Sequence, residues 1–91
     1  MDGRQRNPDY EFINNFCVSG AFLRLYRGLG DRAEAIIGLP ISREMIRRCG
    51  DGELHHVQYF ERWVMELHGD MVVGRNLGAA DYYRLRAEGA G

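Results

Sequence analysis

The sequence contains no lysine, only two cysteines, two prolines and one tryptophan, and no long apolar run. No apolar segment approaches the roughly 20 residues that a membrane-spanning helix needs. Cys17 and Cys49 match no zinc-binding spacing and, without an apolar leader before them, are expected to be free thiols. The net charge of −1 gives no overall attraction to nucleic acid or to anionic lipid, so neither is an expected partner.

Ninety-one residues of ordinary globular composition predict one small domain. Hydrophobic residues make up 45% of the chain and charged residues 27%, which is typical of folded proteins. The central feature is the run 57–68, whose β-branched and aromatic residues favour a strand. A straight strand would leave Phe60 and Val64 among polar residues on the opposite face. A bulge or tight turn near 61–62 would bring both apolar sets to one core, because one extra residue reverses the faces.

Helical periodicity is clearest in the first half of the chain. Phe22, Leu25, Tyr26 and Leu29 recur at helical spacing and predict a helix over 20–29, with Ser19 as its N-cap. The remaining predicted elements are a short helix over 32–37, strands over 16–18, 45–48 and 71–73, hairpin turns at 49–52 and 69–70, and a final helix over 79–87.

These elements predict the α+β class, with short helices packed on a small antiparallel sheet built from hairpins. The single domain is expected to span 16–87. Residues 1–15 are polar and are expected to form a flexible N-terminal arm, with Tyr10, Phe12 and Ile13 as anchors on the body. Residues 88–91 are expected to be a flexible tail.

Several motifs occur in an order known from one family. They are Cys-Val-Ser-Gly-Ala-Phe-Leu at 17–23, Gly-Leu-Pro-Ile-Ser at 38–42, Val-Gln-Tyr-Phe-Glu-Arg at 57–62 and Glu-Leu-His at 66–68. This order resembles an LGFP-repeat-like domain of Chloroflexi surface proteins, often found in tandem. The resemblance covers roughly 17–78, and Leu39 stands where that domain usually has an aromatic residue. It implies a non-catalytic module associated with the cell surface.

The titratable residues show no catalytic or metal-binding motif. His55 and His56 are adjacent, so on a strand they point to opposite faces and cannot easily share one ion. Glu61 and Glu66 lack a spacing that would fix the paired carboxylates of a glycosidase, and neither cysteine lies in an oxyanion-hole motif. No metal, no cofactor and no enzymatic activity are therefore expected.

The leading functional prediction is a non-catalytic interaction or binding module. Its partner would be another protein, a second copy of the chain, or a cell-envelope polysaccharide. Exposed aromatic and arginine side chains are the usual anchors of such contacts. The residues predicted to make them are Trp63, Arg62, Tyr59, Arg47 and Arg48.

Two alternatives stay open. One is a stand-alone subunit or adaptor that docks on a larger assembly or self-assembles. The weaker one is a small nucleic-acid-binding protein that uses Arg43, Arg47 and Arg48, although acidic residues interrupt that cluster. The polar start has no signal-peptide core, which predicts a cytoplasmic location for a complete chain, whereas the resemblance implies the cell envelope.

Overall fold

The computed structural model describes residues 9–78 and Asp81. The predicted arm over 1–8, the predicted final helix over 79–87 apart from Asp81, and the predicted tail over 88–91 lie outside the described residues. The elements in chain order are β1 (Tyr10–Ile13), β2 (Phe16–Ser19), α1 (Gly20–Gly28), a 3-10 turn (Gly30–Arg32), α2 (Ala33–Ile36), β3 (Met45–Arg48), β4 (Leu54–Tyr59), β5 (Trp63–His68) and β6 (Met71–Asn76).

The α+β class is confirmed. Strands β3 to β6 form one antiparallel sheet in sequence order, and β1 and β2 form a separate hairpin. The strand predicted over 45–48 and the hairpin turns predicted at 49–52 and 69–70 are present. In the described part of the chain, no helix is long and apolar enough to cross a membrane.

The centre of the sheet is the predicted two-part element. Strands β4 and β5 pair with Tyr59 opposite Val64, and the Phe60 N–H closes the turn by donating to the Trp63 carbonyl at 2.8 Å. This tight turn reverses the faces, so the interpretation of 57–68 as two strands is confirmed, but the expectation that their apolar residues meet in one core is wrong, since they are divided between two. Tyr59 and Val64 lie on one face, while Phe60 and Met65 belong to the core on the other.

The two faces of the sheet have different neighbours. Met65 and Phe60 pack against α1, where Phe22 and Leu23 are also buried, and Tyr26 stacks on Phe60 with 5.7 Å between ring centroids. We term this side the helix face. The other side, termed the far face, carries a smaller core built from Val57, Tyr59 and Val64 with Ile41, Met45, Cys49 and Leu77 packed around it.

Helix α1 agrees with the predicted helix. It begins after Ser19, which occupies the N-cap position with extended dihedral angles, but its hydroxyl makes no capping hydrogen bond. The predicted second helix is shorter than expected, since its first turn is a 3-10 turn and only Ala33–Ile36 is α-helical.

The expectation of a flexible arm over 1–15 is wrong for residues 10–15. Strand β1 pairs with β2 along its whole length, and Asn14 and Asn15 form the connecting turn with positive φ angles of 52° and 69°. Two successive left-handed residues are typical of the two-residue hairpin turn, and asparagine tolerates that geometry better than most residues.

The strand predicted over 71–73 is also longer than expected. The strand continues to Asn76, because the missing side chain at Gly74 makes room for the Trp63 ring. A Cβ at that position would lie 2.6 Å from the ring.

Candidate functional site

The structure separates the five predicted interaction residues. Tyr59 is 1% exposed, and Arg47 is 8% exposed with its guanidinium carbon 5.8 Å from the centre of the Tyr59 ring. These two residues stabilise the far-face core, so the expectation that they contact a partner is wrong. The other three residues remain accessible to solvent. Arg48 and Arg62 are exposed, and Trp63 is half-buried.

Trp63 and Arg62 form one corner of the sheet. The Trp63 ring is half-buried over Gly74 and packs against the main core. Arg62 is exposed, and its backbone carbonyl accepts a hydrogen bond from Leu77 N–H at 2.9 Å. Trp63 therefore contributes to stability, and Arg62 is the residue of this corner that is available for contacts.

Arg48 lies at the opposite end of the sheet, beside two exposed aliphatic residues. The register places Ile46 opposite His56 and Arg48 opposite Leu54, so all four side chains share the helix face, beyond the area that α1 covers. Ile46 is 61% exposed and Leu54 is 60% exposed. We term these four residues the β3–β4 patch.

The arginines of this region do not form one basic surface. Arg47 and Arg48 are neighbours on β3 and therefore point to opposite faces. Arg48 donates to the Gly52 carbonyl at 2.7 Å, and Arg47 lies inside the far face.

Two further aromatic residues are exposed on the hairpin. Tyr10 and Phe12, predicted to anchor the arm, instead point outward from β1. Their ring centroids are 6.1 Å apart and the rings are nearly perpendicular, at 79°. Glu11 points the other way and pairs with Arg27 of α1 at 3.0 Å, and Ile13, the third predicted anchor, packs against the main core as expected.

The far face carries a cluster of titratable groups that the sequence analysis did not anticipate. Asp51, His55 and His68 each bring a possible ligand atom within 4.8 Å of the others. Asp51 Oδ2 lies 2.9 Å from His55 Nε2 and 3.7 Å from His68 Nδ1. The two imidazole rings stack with 3.8 Å between their centroids.

His56 takes no part in this cluster. It lies on the opposite face, as predicted, with its Nδ1 2.7 Å from Glu44. The sequence does not reveal this cluster without the pairing between strands. Once Tyr59 is placed opposite Val64, four steps back along β4 and four steps forward along β5 place His55 opposite His68.

The outer nitrogen of each clustered histidine is also held. His55 Nδ1 lies 2.9 Å from the Leu67 carbonyl, which can only accept, so this nitrogen carries the proton. His68 Nε2 lies 3.0 Å from Glu66 Oε1. Both rings are therefore oriented with the remaining nitrogen toward Asp51.

The hydrogen-bonded network extends across the sheet from Glu66. Arg75 Nε lies 3.5 Å from Glu66 Oε2, and the Arg75 guanidinium donates two hydrogen bonds of 2.8 Å to the buried Asp81 carboxylate. The bonds to Asp81 raise the pKa of Arg75 further above its usual range. Glu66 is thus fixed between a cation and His68.

The same surroundings set the charges of the cluster. The hydrogen bonds that the Asp51 carboxylate accepts from Glu53 N–H and from His55 Nε2 lower the pKa of Asp51, and the bond that His55 donates to Asp51 raises the pKa of His55. Burial, and then Glu66, raise the pKa of the Cys49 thiol. A thiol with a raised pKa is a poor nucleophile at neutral pH.

The other candidates from the sequence have structural roles. Glu61 Oε1 accepts a hydrogen bond from Leu39 N–H at 2.9 Å, whereas Glu66 faces His68 and Arg75. The two carboxylates thus belong to separate networks. Cys17 and Cys49 are free thiols, as expected.

Comparisons of the chain with protein-family models, with curated proteins and with solved structures find no match.

Proposed function

We propose that this chain is a non-catalytic interaction module that binds a protein partner through the β3–β4 patch. The observation that carries the proposal is the exposure of Ile46 and Leu54, two aliphatic side chains at diagonal positions of β3 and β4 on one face at the end of the sheet. Burying apolar surface is the main favourable contribution to most protein association. Arg48 and His56 provide the polar rim that such interfaces usually have.

The position of β3 supports the same proposal. It is the terminal strand of the four-stranded sheet among the described residues, and a terminal strand offers backbone donors and acceptors to an added strand. A partner that pairs with β3 would bring its own side chains against Ile46. One surface would then provide both backbone and apolar contacts.

The chemistry of the exposed groups favours a protein over a polysaccharide. Sugars are usually held on the flat face of an aromatic ring, but the patch is aliphatic. The exposed Tyr10 and Phe12 rings stand at 79° to each other, so together they offer no flat platform. Nucleic acid is disfavoured because Arg47 and Arg48 lie on opposite faces of the sheet.

The proposed association with the cell envelope rests on the motif resemblance alone. The Gly-Leu-Pro-Ile-Ser and Val-Gln-Tyr-Phe-Glu-Arg segments are adjacent in the fold, since Pro40 and Phe60 form a β-bridge. In this chain both segments contribute mainly to the core, so neither supplies the β3–β4 patch.

Self-association is the second candidate. It is favoured by exposed apolar residues on both edge strands of the sheet. These are Ile46 on β3 and Met71 and Val73 on β6. Two copies that pair through these strands would form a continuous sheet. The mass of the complex distinguishes this candidate from binding to a different protein.

Site-specific photo-crosslinking in the native cell tests the proposal. The full chain would carry a benzophenone amino acid in place of Ile46, or in place of Arg24 on the exposed side of α1 as a control. We expect one discrete adduct from position 46 and none from position 24. An adduct of twice the mass of the chain would identify self-association, and equal or absent crosslinking from both positions would contradict the proposal.

A further inference from the structure

We propose that Asp51, His55 and His68 form a binding site for a divalent transition-metal ion of the Zn²⁺ class. This site goes beyond the proposed interaction function, since it lies on the far face and uses none of the residues of the β3–β4 patch. Two imidazole nitrogens and one carboxylate oxygen form a donor set that Zn²⁺ and neighbouring transition metals accept.

The three ligand atoms already converge. Asp51 Oδ2 is 2.9 Å from His55 Nε2 and 3.7 Å from His68 Nδ1. Ligand bonds of about 2.0–2.1 Å in a tetrahedral site place neighbouring donor atoms about 3.3 Å apart. The separation between Asp51 and His55 therefore has to open slightly and that between Asp51 and His68 to close slightly, while the two histidine nitrogens already lie within 4.8 Å of each other.

The outer hydrogen bonds of the two histidines match those of metal ligands. A ligating histidine usually donates its second ring N–H to a backbone carbonyl or a carboxylate, which fixes the tautomer and the direction of the free lone pair. Here the Leu67 carbonyl holds His55 Nδ1, and the Glu66 carboxylate holds His68 Nε2. The remaining nitrogens, His55 Nε2 and His68 Nδ1, are the two that face Asp51, and the proton that His55 Nε2 donates to Asp51 is released when the ion binds.

The two oxygens of Asp51 have separate roles. Oδ1 accepts a hydrogen bond from Glu53 N–H at 2.9 Å and so fixes the carboxylate in the hairpin turn. Oδ2 is directed at the histidines. The turn between β3 and β4 thus presents one oxygen to the two rings, as a monodentate carboxylate ligand would require.

Metal binding must tilt the stacked rings. The lone pair of an imidazole nitrogen lies in the ring plane, and the planes of His55 and His68 are 24° apart with centroids at 3.8 Å. An ion shared by both rings would therefore turn them toward each other at the ligand edge. Asp51 is exposed and His68 is half-buried, so the ligand edge of the cluster faces solvent, which can supply water as a fourth ligand.

Metal titration of the full-length chain without a histidine tag tests the proposal. After treatment with EDTA, the protein is titrated with ZnCl₂ by calorimetry, and its thermal unfolding is followed with and without the ion. We expect one equivalent to bind and to raise the unfolding temperature, since an ion that binds only the folded state stabilises it. Mg²⁺ and Ca²⁺ should give neither effect, because both prefer all-oxygen ligand sets.

Three histidine variants locate the ion. His55→Gln and His68→Gln are each expected to weaken Zn²⁺ binding by more than about tenfold, since even the partners of metal ligands contribute that much. His56→Gln is the matched control, because His56 is the neighbouring histidine on the same strand and faces the other side. Equal weakening in all three variants, or no binding by the native chain, would overturn the proposal.

Asp51→Asn covers the case in which a histidine variant fails to fold. The amide keeps an oxygen for Glu53 N–H and places NH₂, which is no metal ligand, where Oδ2 stood. Circular dichroism should remain native while Zn²⁺ affinity falls by about tenfold or more. Native affinity in a folded Asp51→Asn chain would show that the ion binds elsewhere. The experiment needs no protein partner, so its failure would not affect the proposed interaction function.

Discussion

At the scale of single residues, two glycines allow the sheet and its loops to approach closely. A Cβ at Gly38, where φ is +89°, would lie 2.5 Å from the Cβ of Glu61. A Cβ at Gly74 would lie 2.6 Å from two atoms of the Trp63 ring. Both contacts are shorter than van der Waals packing permits, so each glycine is required by its neighbour.

We expect Gly74→Ala to lower the free energy of unfolding by about 1–3 kcal/mol, because the added methyl group overpacks the Trp63 ring. Urea denaturation measures this change. Gly28→Ala is the control, since its Cβ would meet no atom within 4 Å and alanine is favoured in a helix by about 0.5–1 kcal/mol. Equal stability of Gly74→Ala and the native chain would show that the ring does not lie on this glycine.

Gln58 is a buried polar residue that connects three segments. Its Nε2 donates to the Cys17 carbonyl at 3.2 Å and to the Ser42 carbonyl at 2.9 Å. The Ser42 hydroxyl in turn accepts from Tyr59 N–H at 3.1 Å. The side chain thus holds β2 and the loop before β3 against β4.

Gln58→Glu replaces the donor with an oxygen of almost the same shape. At neutral pH we expect a loss of at least about 2 kcal/mol in the free energy of unfolding, since a buried carboxylate would face two carbonyl oxygens. Burial raises the pKa of the new carboxyl group in the folded state. Its protonated form is then favoured by folding, so the deficit should shrink as the pH falls toward the unfolded pKa and grow as the pH rises.

Denaturation of the native and Gln58→Glu chains at several pH values measures this difference. His56→Gln, an exposed change two positions earlier on β4, is the control and should stay within about 0.5 kcal/mol of the native chain. A deficit of the same size at every pH would contradict the buried position of the new carboxyl group.

At the scale of elements, the β1–β2 hairpin depends on the Asn14–Asn15 turn. Both residues have positive φ angles, and Asn14 Nδ2 also donates to the Pro40 carbonyl at 3.0 Å. The turn therefore sets the register of the hairpin and holds it on the loop that leads to β3.

Asn15→Val should destabilise this hairpin by about 1–2 kcal/mol, because a β-branched residue resists the left-handed conformation. Amide hydrogen exchange over 10–19 measures the local effect, and faster exchange is expected there than in the native chain. Asn15→Gly keeps the conformation accessible and should leave the exchange rates close to native. Native exchange rates in Asn15→Val would contradict the role of this turn.

The same elements show what the sequence could predict. The turn at 61–62 was predictable, because an uninterrupted strand would place Tyr59 and Val64 on opposite faces, whereas the turn brings both into one core. The β1–β2 hairpin was missed for two reasons. Its turn is Asn-Asn, without the glycine that usually marks a two-residue hairpin turn, and the apolar side chains of Tyr10 and Phe12 point outward. The histidine cluster was missed because His55 and His68 meet only through the β4–β5 register, which no local pattern encodes.

At the scale of the whole molecule, the two faces of the sheet carry different cores and different surface features. The helix face buries the main core and leaves the β3–β4 patch uncovered at one end. The far face contains the small core of Val57, Tyr59 and Val64 and the network that runs from Asp51 to Asp81. The Arg62 corner lies at the other end of β4. The six residues of this strand separate its two ends by about 17 Å.

Because Arg62 is distant from the β3–β4 patch, substituting it tests whether the proposed interface extends beyond that patch. A partner that covers only the β3–β4 patch should be captured equally well by the native chain and by Arg62→Ala. Quantitative crosslinking from position 46 in both backgrounds measures this. A loss of about tenfold in Arg62→Ala would mean that the interface spans the length of β4 and includes the corner, as arginine anchors can contribute that much.

The central claim is that Ile46 and Leu54 dock a protein partner. Its most direct measurement is the yield of the crosslinked adduct from position 46 in two backgrounds, Leu54→Asp and Val73→Asp. Both replace an exposed apolar residue of the same sheet, but only Leu54 belongs to the patch. We predict that the yield falls at least about tenfold in Leu54→Asp, because a charge would be buried at the contact, and stays native in Val73→Asp. An undiminished yield in Leu54→Asp would contradict the claim.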